Sequence, residues 1–217
     1  MTETITPTAR TQVKRLPDRG RYDTDVVHRI LDEALFCHMG FIAGGHPVVI
    51  PTIHARYGDR LYVHGSPASR MLRTVKGDAE VCVTVTLVDG LVLARSAFHH
   101  SMNYRSVVVF GAAREVTDVD EKLIAFRAIV DHVVPSRWDA VRPPSDKEIR
   151  STLVLALPLT EASAKVRTGP PIDDEADYAL PVWAGELPLR TVAGTPLADA
   201  QLPPGAVVPD HVTAWRP

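Results

Sequence analysis

The chain has 217 residues, a length typical of one domain or of one domain with an appendage. Hydrophobic residues make up 45% and charged residues 23%, which is the composition of an ordinary globular protein. Lys and Arg number 24 against 26 for Asp and Glu, and this near balance excludes a nucleic-acid binder that works by bulk positive charge.

The cysteines and the hydropathy of the chain bear on its compartment. Two cysteines, Cys37 and Cys82, allow at most one bridge, which is no disulfide framework. The polar first 20 residues lack the apolar core of a secretory signal, and no apolar run is long enough to cross a bilayer. We therefore expect a cytoplasmic protein without a membrane partner. The 9 histidines do not fall at the spacing of a zinc site, so no metal is predicted.

Proline divides the chain into parts. Nine of the 18 prolines lie in residues 170–217. This composition predicts an N-terminal arm over 1–20, a body over 21–168, and a proline-rich extension over 169–217 that packs on the body or on a partner subunit. Within the extension we expect residues 176–189 to dock, and a disordered tail is the alternative.

The spacing of apolar residues predicts the elements in chain order. Helical spacing predicts one helix after Asp23, over about 23–35, and another over about 118–133. Short β-rich runs predict strands at about 40–44, 47–56, 60–64, 80–88, 104–116 and 152–159. Six strands with few helices indicate a mainly β fold with flanking helices, built as an antiparallel barrel.

A turn after the third predicted strand carries the clearest chemical signal. The strand ends at His64, Gly65 permits the turn, and Ser66 stands where a helix N-cap belongs, ahead of a helix predicted over Ala68 to Lys76. Hydroxyl and guanidinium groups meet the unpaired N–H groups of this helix start: Ser66, Ser69 and Arg70. Such a start attracts anions, so a phosphate site and an ordinary capped helix both fit the pattern.

The fifth predicted strand begins beside an arginine. Alternation puts Val107 on one face of this strand and Ser106 on the other. Arg105 either reaches a phosphate or a ring carbonyl, or pairs with a surface carboxylate. Both interpretations stay open at this point.

Four further residues are candidates for lining a ligand pocket. Pro51 lies inside a predicted strand, which requires an edge or a bulge, so the backbone at Pro51 and Thr52 either faces a ligand or simply blunts an edge. Lys165 and Trp183 either complete a pocket or belong to packing and solvated surface.

The histidines do not indicate a hydrolase. His64, His99 and His100 are each candidate general bases, but no Ser or Asp relay stands at triad-like spacing and no G-x-S-x-G elbow occurs. Phosphate-loop and Rossmann fingerprints are also absent from the sequence.

Taken together, the motifs resemble a known family. In chain order they are GGHPVVIPTIHARYGDRLYVHGSPASRML, VCVTVTLVDGLVLARSAFHHSMNYRSVVVFG, SAKVRTGPP and LPVWAG. This series resembles the FMN-binding split-barrel group related to pyridoxamine 5′-phosphate oxidase, in the branch that includes Nim-type nitroimidazole-resistance proteins. The resemblance implies a six-stranded antiparallel split β-barrel, a homodimer, and FMN in a cleft at the subunit interface.

The resemblance also implies where the cofactor lies. It places the phosphate against the turn from Ser66 to Arg70, the strand at 51–53 along the flavin, the strand at 106–107 near the ring edge, and Trp183 beside the flavin of the neighbouring subunit. The full predicted cofactor-binding set is Pro51, Thr52, Ile53, His64, Gly65, Ser66, Ser69, Arg70, Arg105, Ser106, Val107, Lys165 and Trp183.

Departures from the family pattern limit the functional prediction. Met71 replaces the second base of the phosphate site, and no arginine-rich segment follows Trp183 to hold a substrate phosphate. We therefore predict an FMN-dependent oxidoreductase for a small organic molecule other than pyridoxamine phosphate, with no catalytic residue named. The alternatives are a haem- or flavin-binding carrier or sensor, with His64, His99 and His100 as iron ligands, and a barrel without cofactor. A deazaflavin is the alternative to FMN.

Overall fold

The computed structural model describes residues 3–216, and strands make up most of its regular structure. The strands are β1 (Gly20–Arg21), β2 (Cys37–Ala43), β3 (His46–Thr52), β4 (His54–Tyr57), β5 (Arg60–Gly65), β6 (Gly77–Leu93), β7 (Ser101–Glu115), β8 (Leu153–Pro158), β9 (Ala162–Arg167) and β10 (Gly185–Pro188). The α-helices are α1 (Thr24–Glu33), α2 (Arg70–Val75), α3 (Val119–Val133), α4 (Asp146–Ser151) and α5 (Asp210–Thr213). Short 3-10 turns lie at Pro17–Arg19, Trp138–Ala140 and Glu175–Ala179.

The strands form one sheet within residues 3–216. Its main order is β3-β2-β6-β7-β8-β5-β4, with β9 paired to β7 and β1, and β10 paired to β6. Every pairing whose register is defined is antiparallel. The prediction of a mainly β antiparallel fold with flanking helices is confirmed. The sheet has 10 strands rather than six and its order is not closed, so the six-stranded split barrel stays a prediction.

Two features of the sequence explain why β4 and β9 are not predicted as separate strands. The predicted strand at 47–56 is broken at Ile53 into β3 and β4, which stand at opposite ends of the main order. β9 has the sequence ASAKVR, whose small and charged residues lack the β-branched alternation that marks a strand.

Pro51 lies in β3, which stands at one end of the main order, so the edge position that proline requires is confirmed.

Two of the three predicted helices are confirmed, α2 begins later than predicted, and α4 and α5 are additional to the predicted ones. Thr24–Glu33 and Val119–Val133 fall within or next to the predicted ranges, and Asp118 caps α3 by accepting a hydrogen bond from the N–H of Glu121 at 2.8 Å. The prediction that Ser66 caps a helix beginning at Ala68 is wrong. Ser66 and Ser69 instead close a turn, because the N–H of Ser69 donates to the carbonyl oxygen of Ser66 at 2.8 Å, and α2 begins only at Arg70.

The described residues fall into two compact units made of interleaved segments. The first unit comprises the chain up to Ala34 together with Cys82–Phe110 and Thr160–Arg190. The second comprises Leu35–Val81, Gly111–Leu159 and the chain from Thr191 onward. The predicted division into an arm, a body and an extension is a division along the sequence, and it stays a prediction.

The core of the second unit lies where α3 packs on β4 and β5. Its buried members are Ala55, Tyr62, Val116, Ala125, Ile129, Val154 and Ala156. The Tyr62 hydroxyl reaches the edge of this core and donates to the Glu121 carboxylate at 2.9 Å. The apolar face of α3 is therefore fixed against the sheet both by burial and by a polar contact at its first turn.

The core of the first unit lies between α1, β7 and β9. Its buried side chains include Val27, Ile30, Leu31, Val107, Val109, Ala162 and Ala164. The proline-rich segment joins this unit through several contacts, among them an ion pair at Asp173 and a strand pairing at β10. Asp173 is buried and accepts from the backbone N–H and the guanidinium of Arg95, at 3.0 and 2.9 Å, and Gly185–Pro188 pair with β6.

Both cysteines are free thiols, and Cys37 is buried. Burial raises the pKa of the Cys37 thiol to about 12, so this group is inert at neutral pH. In residues 3–216 no helix has the length and apolar character needed to cross a membrane.

Candidate functional site

A cavity of about 390 Å³ opens in the second unit beside α3. Its lining residues are His64, Phe126, Ile129, Val130, Trp138, Val141, Arg142, Pro144, Glu148 and Thr152. The walls come from one face of α3 and from the segment that connects α3 to β8. Aromatic and aliphatic side chains with a few polar groups are the usual lining of a cofactor or ligand site.

His64 is the polar group on the strand side of this cavity. It lies at the end of β5, opposite Val154 of β8, and its ring meets the edge of the Phe126 ring at 6.4 Å between centroids. The Nδ1 atom is buried and has no hydrogen-bond partner in residues 3–216. Burial lowers the pKa of the His64 imidazole, so the ring is neutral at pH 7 and keeps a lone pair for coordination.

A second polar pair stands at the rim of the cavity. The Arg142 guanidinium donates to both carboxylate oxygens of Glu148, at 2.8 and 2.6 Å. Glu148 also completes a capping box with Ser145 at the start of α4. The bonds from Arg142, and then those from Ser145, hold the pKa of the Glu148 carboxyl well below its usual range. The rim therefore presents a paired cation and anion rather than a net charge.

The predicted phosphate turn directly follows His64 in the same unit. The Ser66 hydroxyl accepts from the N–H of Ala68 at 3.1 Å, and the Ser69 hydroxyl accepts from the N–H of Leu72 at 3.5 Å. Because each oxygen acts as an acceptor, each hydroxyl hydrogen stays available to donate to an anion. The Arg70 side chain is exposed beside them. Phosphate binding at this turn stays a prediction that the local geometry permits.

Gly65 explains the tight junction between His64 and the turn. A Cβ atom at this position would lie 3.0 Å from Cδ1 of Leu72, which is buried in α2. The absence of a side chain thus allows α2 to pack directly against the end of β5.

The strand predicted to lie along the flavin is exposed. Pro51 and Ile53 are solvent-accessible, and the Thr52 hydroxyl contacts only the carbonyl oxygen of Ile53, at 3.4 Å, in residues 3–216. This edge is open to a ligand, and whether one binds there stays a prediction.

The remaining predicted residues lie in the first unit, and Arg105 among them is already engaged. Its guanidinium donates to both carboxylate oxygens of Asp89, at 3.0 and 2.8 Å, and to both oxygens of Glu33, one of them at 2.7 Å. The bonds to Glu33 and then to Asp89 raise the pKa of the Arg105 guanidinium. Of the two interpretations left open by the sequence, the pairing with carboxylates is the one observed.

Ser106 and Lys165 come together across β7 and β9. They are register partners, and the Ser106 hydroxyl donates to the carbonyl oxygen of Lys165 at 3.3 Å. Both line a groove of about 300 Å³ between these strands and the N-terminal arm. Val107 has the opposite orientation, since its side chain is 0% exposed in the core and its backbone is paired with Ala164 of β9.

Trp183 and two predicted histidines occupy separate positions in the first unit. The Trp183 side chain is 69% exposed and its ring covers Gly185 at the start of β10, where a Cβ would lie 3.0 Å from the ring. His99 faces Asp174 at 3.3 Å, and the His100 ring pairs with the carbonyl oxygen of Ser96 at 2.9 Å. Neither histidine lines the cavity that contains His64, and no cluster of metal-binding side chains occurs in residues 3–216.

Sequence reasoning missed the cavity itself and most of its walls. The helical spacing of apolar residues predicts α3. The sequence does not predict that Trp138, Val141 and Arg142 line the cavity, because they belong to an irregular segment in which apolar residues have no regular spacing. Trp138 is placed by its backbone N–H, which donates to Asp131 of α3 at 2.9 Å. An aromatic residue shortly after an amphipathic helix was the one available signal.

Solved structures similar to this chain include two that name flavin or haem. The flavocytochrome Anf3 from Azotobacter vinelandii is 43% identical with a TM-score of 0.91, over 97% of this chain and 98% of its own. An FAD- and haem-binding protein from Mycobacterium smegmatis is 34% identical with a TM-score of 0.87, over 91% and 97%. A structure described as a 5-nitroimidazole antibiotic resistance protein from Bacteroides thetaiotaomicron is 26% identical with a TM-score of 0.55, over 66% and 84%. Among curated proteins, none matches the chain.

The antiparallel sheet with its flanking helices defines a mainly β protein, and a cavity of about 390 Å³ lies beside α3. Within that class the family is shown by sequence. The chain belongs to the family described as pyridoxamine 5′-phosphate oxidase, whose profile matches residues 23–166. The predicted resemblance to this family, and to its Nim-type branch, is confirmed.

Proposed function

We propose that this chain is a flavin- and haem-binding oxidoreductase of the flavocytochrome kind. The similarity to the Azotobacter flavocytochrome and to the mycobacterial FAD- and haem-binding protein, each over more than nine-tenths of the chain, supports both cofactors. The observation that carries the haem part is the neutral, half-buried His64 imidazole at an apolar cavity. These similarities do not favour a carrier without turnover.

The residues around the cavity fit a haem group. A neutral imidazole is a usual axial ligand of haem iron, and the Nδ1 atom of His64 is not engaged by any described group. Phe126, Ile129 and Val130 of α3 offer an apolar surface to a macrocycle. A haem held there would supply one-electron redox chemistry, and the protein would set its ligation and burial.

The flavin is proposed to bind at the turn from Ser66 to Arg70 and along the exposed edge at Pro51–Ile53. The two hydroxyl donors and the Arg70 guanidinium support a phosphate position there. The family resemblance indicates FMN, whereas the mycobacterial relative is an FAD-binding protein. We propose FAD, and chromatography of the flavin released from purified protein distinguishes it from FMN.

The absorption spectrum of the protein, expressed with a haem precursor, tests the proposal. We expect flavin bands together with a Soret band. His64→Ala should remove the Soret band and leave the flavin bands, while the matched controls His99→Ala and His100→Ala should retain both. A His64→Ala protein that keeps its Soret band would overturn the ligand assignment, and a protein with neither chromophore would overturn the function.

Turnover is tested separately. Anaerobic reduction of the bound flavin, followed by its reoxidation with an organic acceptor, should occur over many cycles if the protein is an oxidoreductase. A protein that cycles only once would instead be a carrier.

A homodimer with the flavin at the subunit interface is also part of the proposal. It rests on the family resemblance and on apolar side chains that the first unit leaves exposed, among them Phe98, Ile172, Tyr178 and Trp183. Sedimentation should show a dimer at micromolar concentration, and a stable monomer would contradict this assignment. The expected cytoplasmic location stays a prediction.

A further inference from the structure

We infer that the groove between the N-terminal arm and strands β7 and β9 is a binding site for a phosphate-bearing nucleotide, and that the arm supplies its cations. The groove lies in the first unit and is distinct from the predicted phosphate turn at Ser66–Arg70. The inference rests on the proposed function and deepens it, because FAD and the nicotinamide electron donors of flavoproteins are all dinucleotides with a diphosphate group.

All the charged side chains that line the groove are positively charged. Its lining residues are Arg10, Thr11, Gln12, Val13, Lys14, Arg15, Ser106, Val108, Phe110, Ser163 and Lys165. Four of these side chains are cationic and none is a carboxylate, although the whole chain has more acidic than basic residues. A concave surface with a single sign of charge concentrates ligands of the opposite sign, so this groove favours an anion.

Only part of the cationic charge is neutralised within the protein. Arg10 pairs with Glu161 and lies over the Phe110 ring at 5.1 Å from its centroid. Lys14 and Arg15 have no carboxylate partner in residues 3–216. Lys165 uses one of its three ammonium hydrogens, in a bond to the carbonyl oxygen of Arg15 at 3.2 Å. Three cations thus keep donors for a phosphate group.

The floor of the groove offers a buried polar group beside an apolar strip. Ser163 is only 7% exposed and lines the groove, and its hydroxyl has no hydrogen bond to the part of the chain that the structure describes. Because this hydroxyl lines the groove and has no partner in the described part of the chain, its hydrogen is available to a ligand oxygen. Val108 and Phe110, on the same strand face, present a surface on which a ring can lie.

Hydrogen bonds fix the N-terminal arm against the strands of the groove. The N–H of Val13 donates to the Tyr22 hydroxyl at 2.9 Å, and the N–H of Gln12 donates to the carbonyl oxygen of Thr8 at 2.9 Å. Lys165 ties Arg15 to β9. These anchors hold the cations over the strands before any ligand arrives, so little ordering is needed when one binds.

Binding of phosphate probes by the holoprotein tests the inference. The informative variant is Lys14→Gln/Arg15→Gln, which leaves the Arg15 carbonyl oxygen in place, and the matched control is Lys147→Gln/Arg150→Gln on α4, with the same change in charge. Titration calorimetry with inorganic pyrophosphate and with ADP should show affinity reduced about tenfold or more in the arm variant and unchanged in the control. Lys14→Gln alone, at an exposed position, should show a smaller loss in the same direction.

Two further measurements distinguish whether the bound phosphate group belongs to the electron donor or to the flavin. If NADPH affinity falls while the flavin content is kept, the groove holds the electron donor. If the wild-type holoprotein binds no pyrophosphate and the flavin content falls in the arm variant, the groove holds the flavin diphosphate, because the bound flavin already fills it. Both results support the site. Unchanged affinity for pyrophosphate, ADP, NADPH and flavin in a folded arm variant would overturn it. A protein without flavin or haem that still binds pyrophosphate through the arm would refute the proposed function and leave this site standing.

Discussion

Replacing His64 by leucine should stabilise the haem-free protein while it abolishes haem binding. The Nδ1 atom of His64 is buried without a hydrogen bond in residues 3–216, whereas a leucine places only apolar atoms against Phe126 and the walls of the cavity. A buried polar group left without a partner costs ~1–3 kcal/mol. Because the His64 ring is only half-buried, the gain should lie near the lower end, at about 1 kcal/mol. For a chain of this size that gain corresponds to an increase in Tm of roughly 2–4 °C.

The gain should depend on pH, and the sign follows from proton linkage. Burial lowers the pKa of His64 in the folded state below its ordinary value of about 6.5. Between the two pKa values the unfolded state binds more protons, so the wild-type protein loses stability as the pH falls through this window. His64→Leu removes that loss. The variant should therefore exceed the wild type by more at about pH 5 than at about pH 8.

Urea denaturation of haem-free protein at both pH values measures the effect, with His46→Leu at an exposed position as the control for losing one histidine. The control should match the wild type at each pH. A His64→Leu protein that is less stable than the wild type at both pH values would show that the imidazole has a partner in the fold, and the argument for an available iron ligand would fail.

Three further substitutions test other parts of the molecule. Arg70→Ala should weaken flavin binding roughly ten- to a hundredfold with the fold intact, since one charged hydrogen bond is lost, and unchanged affinity in a flavin titration would remove Arg70 from the site. Ile129→Ala should cost about 2 kcal/mol in urea denaturation, at the low end for a buried aliphatic residue because a cavity already adjoins it. Asp173→Asn should destabilise the protein at neutral pH: burial opposes ionisation, but the bonds from Arg95 outweigh it and lower the pKa of the Asp173 carboxyl. The difference from the wild type should begin to shrink as the pH falls below about 4 and should vanish once the pH is below the lowered pKa of the folded-state Asp173 carboxyl. A difference that does not shrink at all in this range would exclude the ion pair as its cause.

The general class of the fold was predictable because it depends on local patterns. The period of α3 and the β-rich runs are properties of neighbouring residues, and the structure follows them closely. The break at Ile53 was not predictable, since β3 and β4 each fit a continuous β pattern and only their different partners, β2 and β5, separate them. The start of α2 shifted for a related reason: Ser66 and Ser69 are both good caps, and the turn between them decides which one is used.

The candidate site was predictable only in part because its groups come from distant segments. His64 and the turn after it were visible as a motif, but the wall formed by Trp138 and Val141 required knowledge of how the segment after α3 folds back. Arg105 shows a second limit, which is that local sequence does not reveal ion pairs between distant residues. Its two carboxylate partners, Glu33 and Asp89, lie 72 and 16 positions away along the chain, so a pattern centred on Arg105 could not reveal them.

The attachment of the arm has a consequence for synthesis of the protein. Arg15 meets Lys165 across 150 positions, and Arg10 meets Glu161 across 151. At a translation rate of roughly 5–20 residues per second, the arm leaves the ribosome about 8–30 seconds before its partners do. During that interval β9 has not yet been synthesised, so the cations of the arm cannot contact it. The groove that we infer to bind a nucleotide therefore does not yet exist. Ligand capture by this groove therefore belongs to the last stage of biogenesis, after β9 has been added to the sheet.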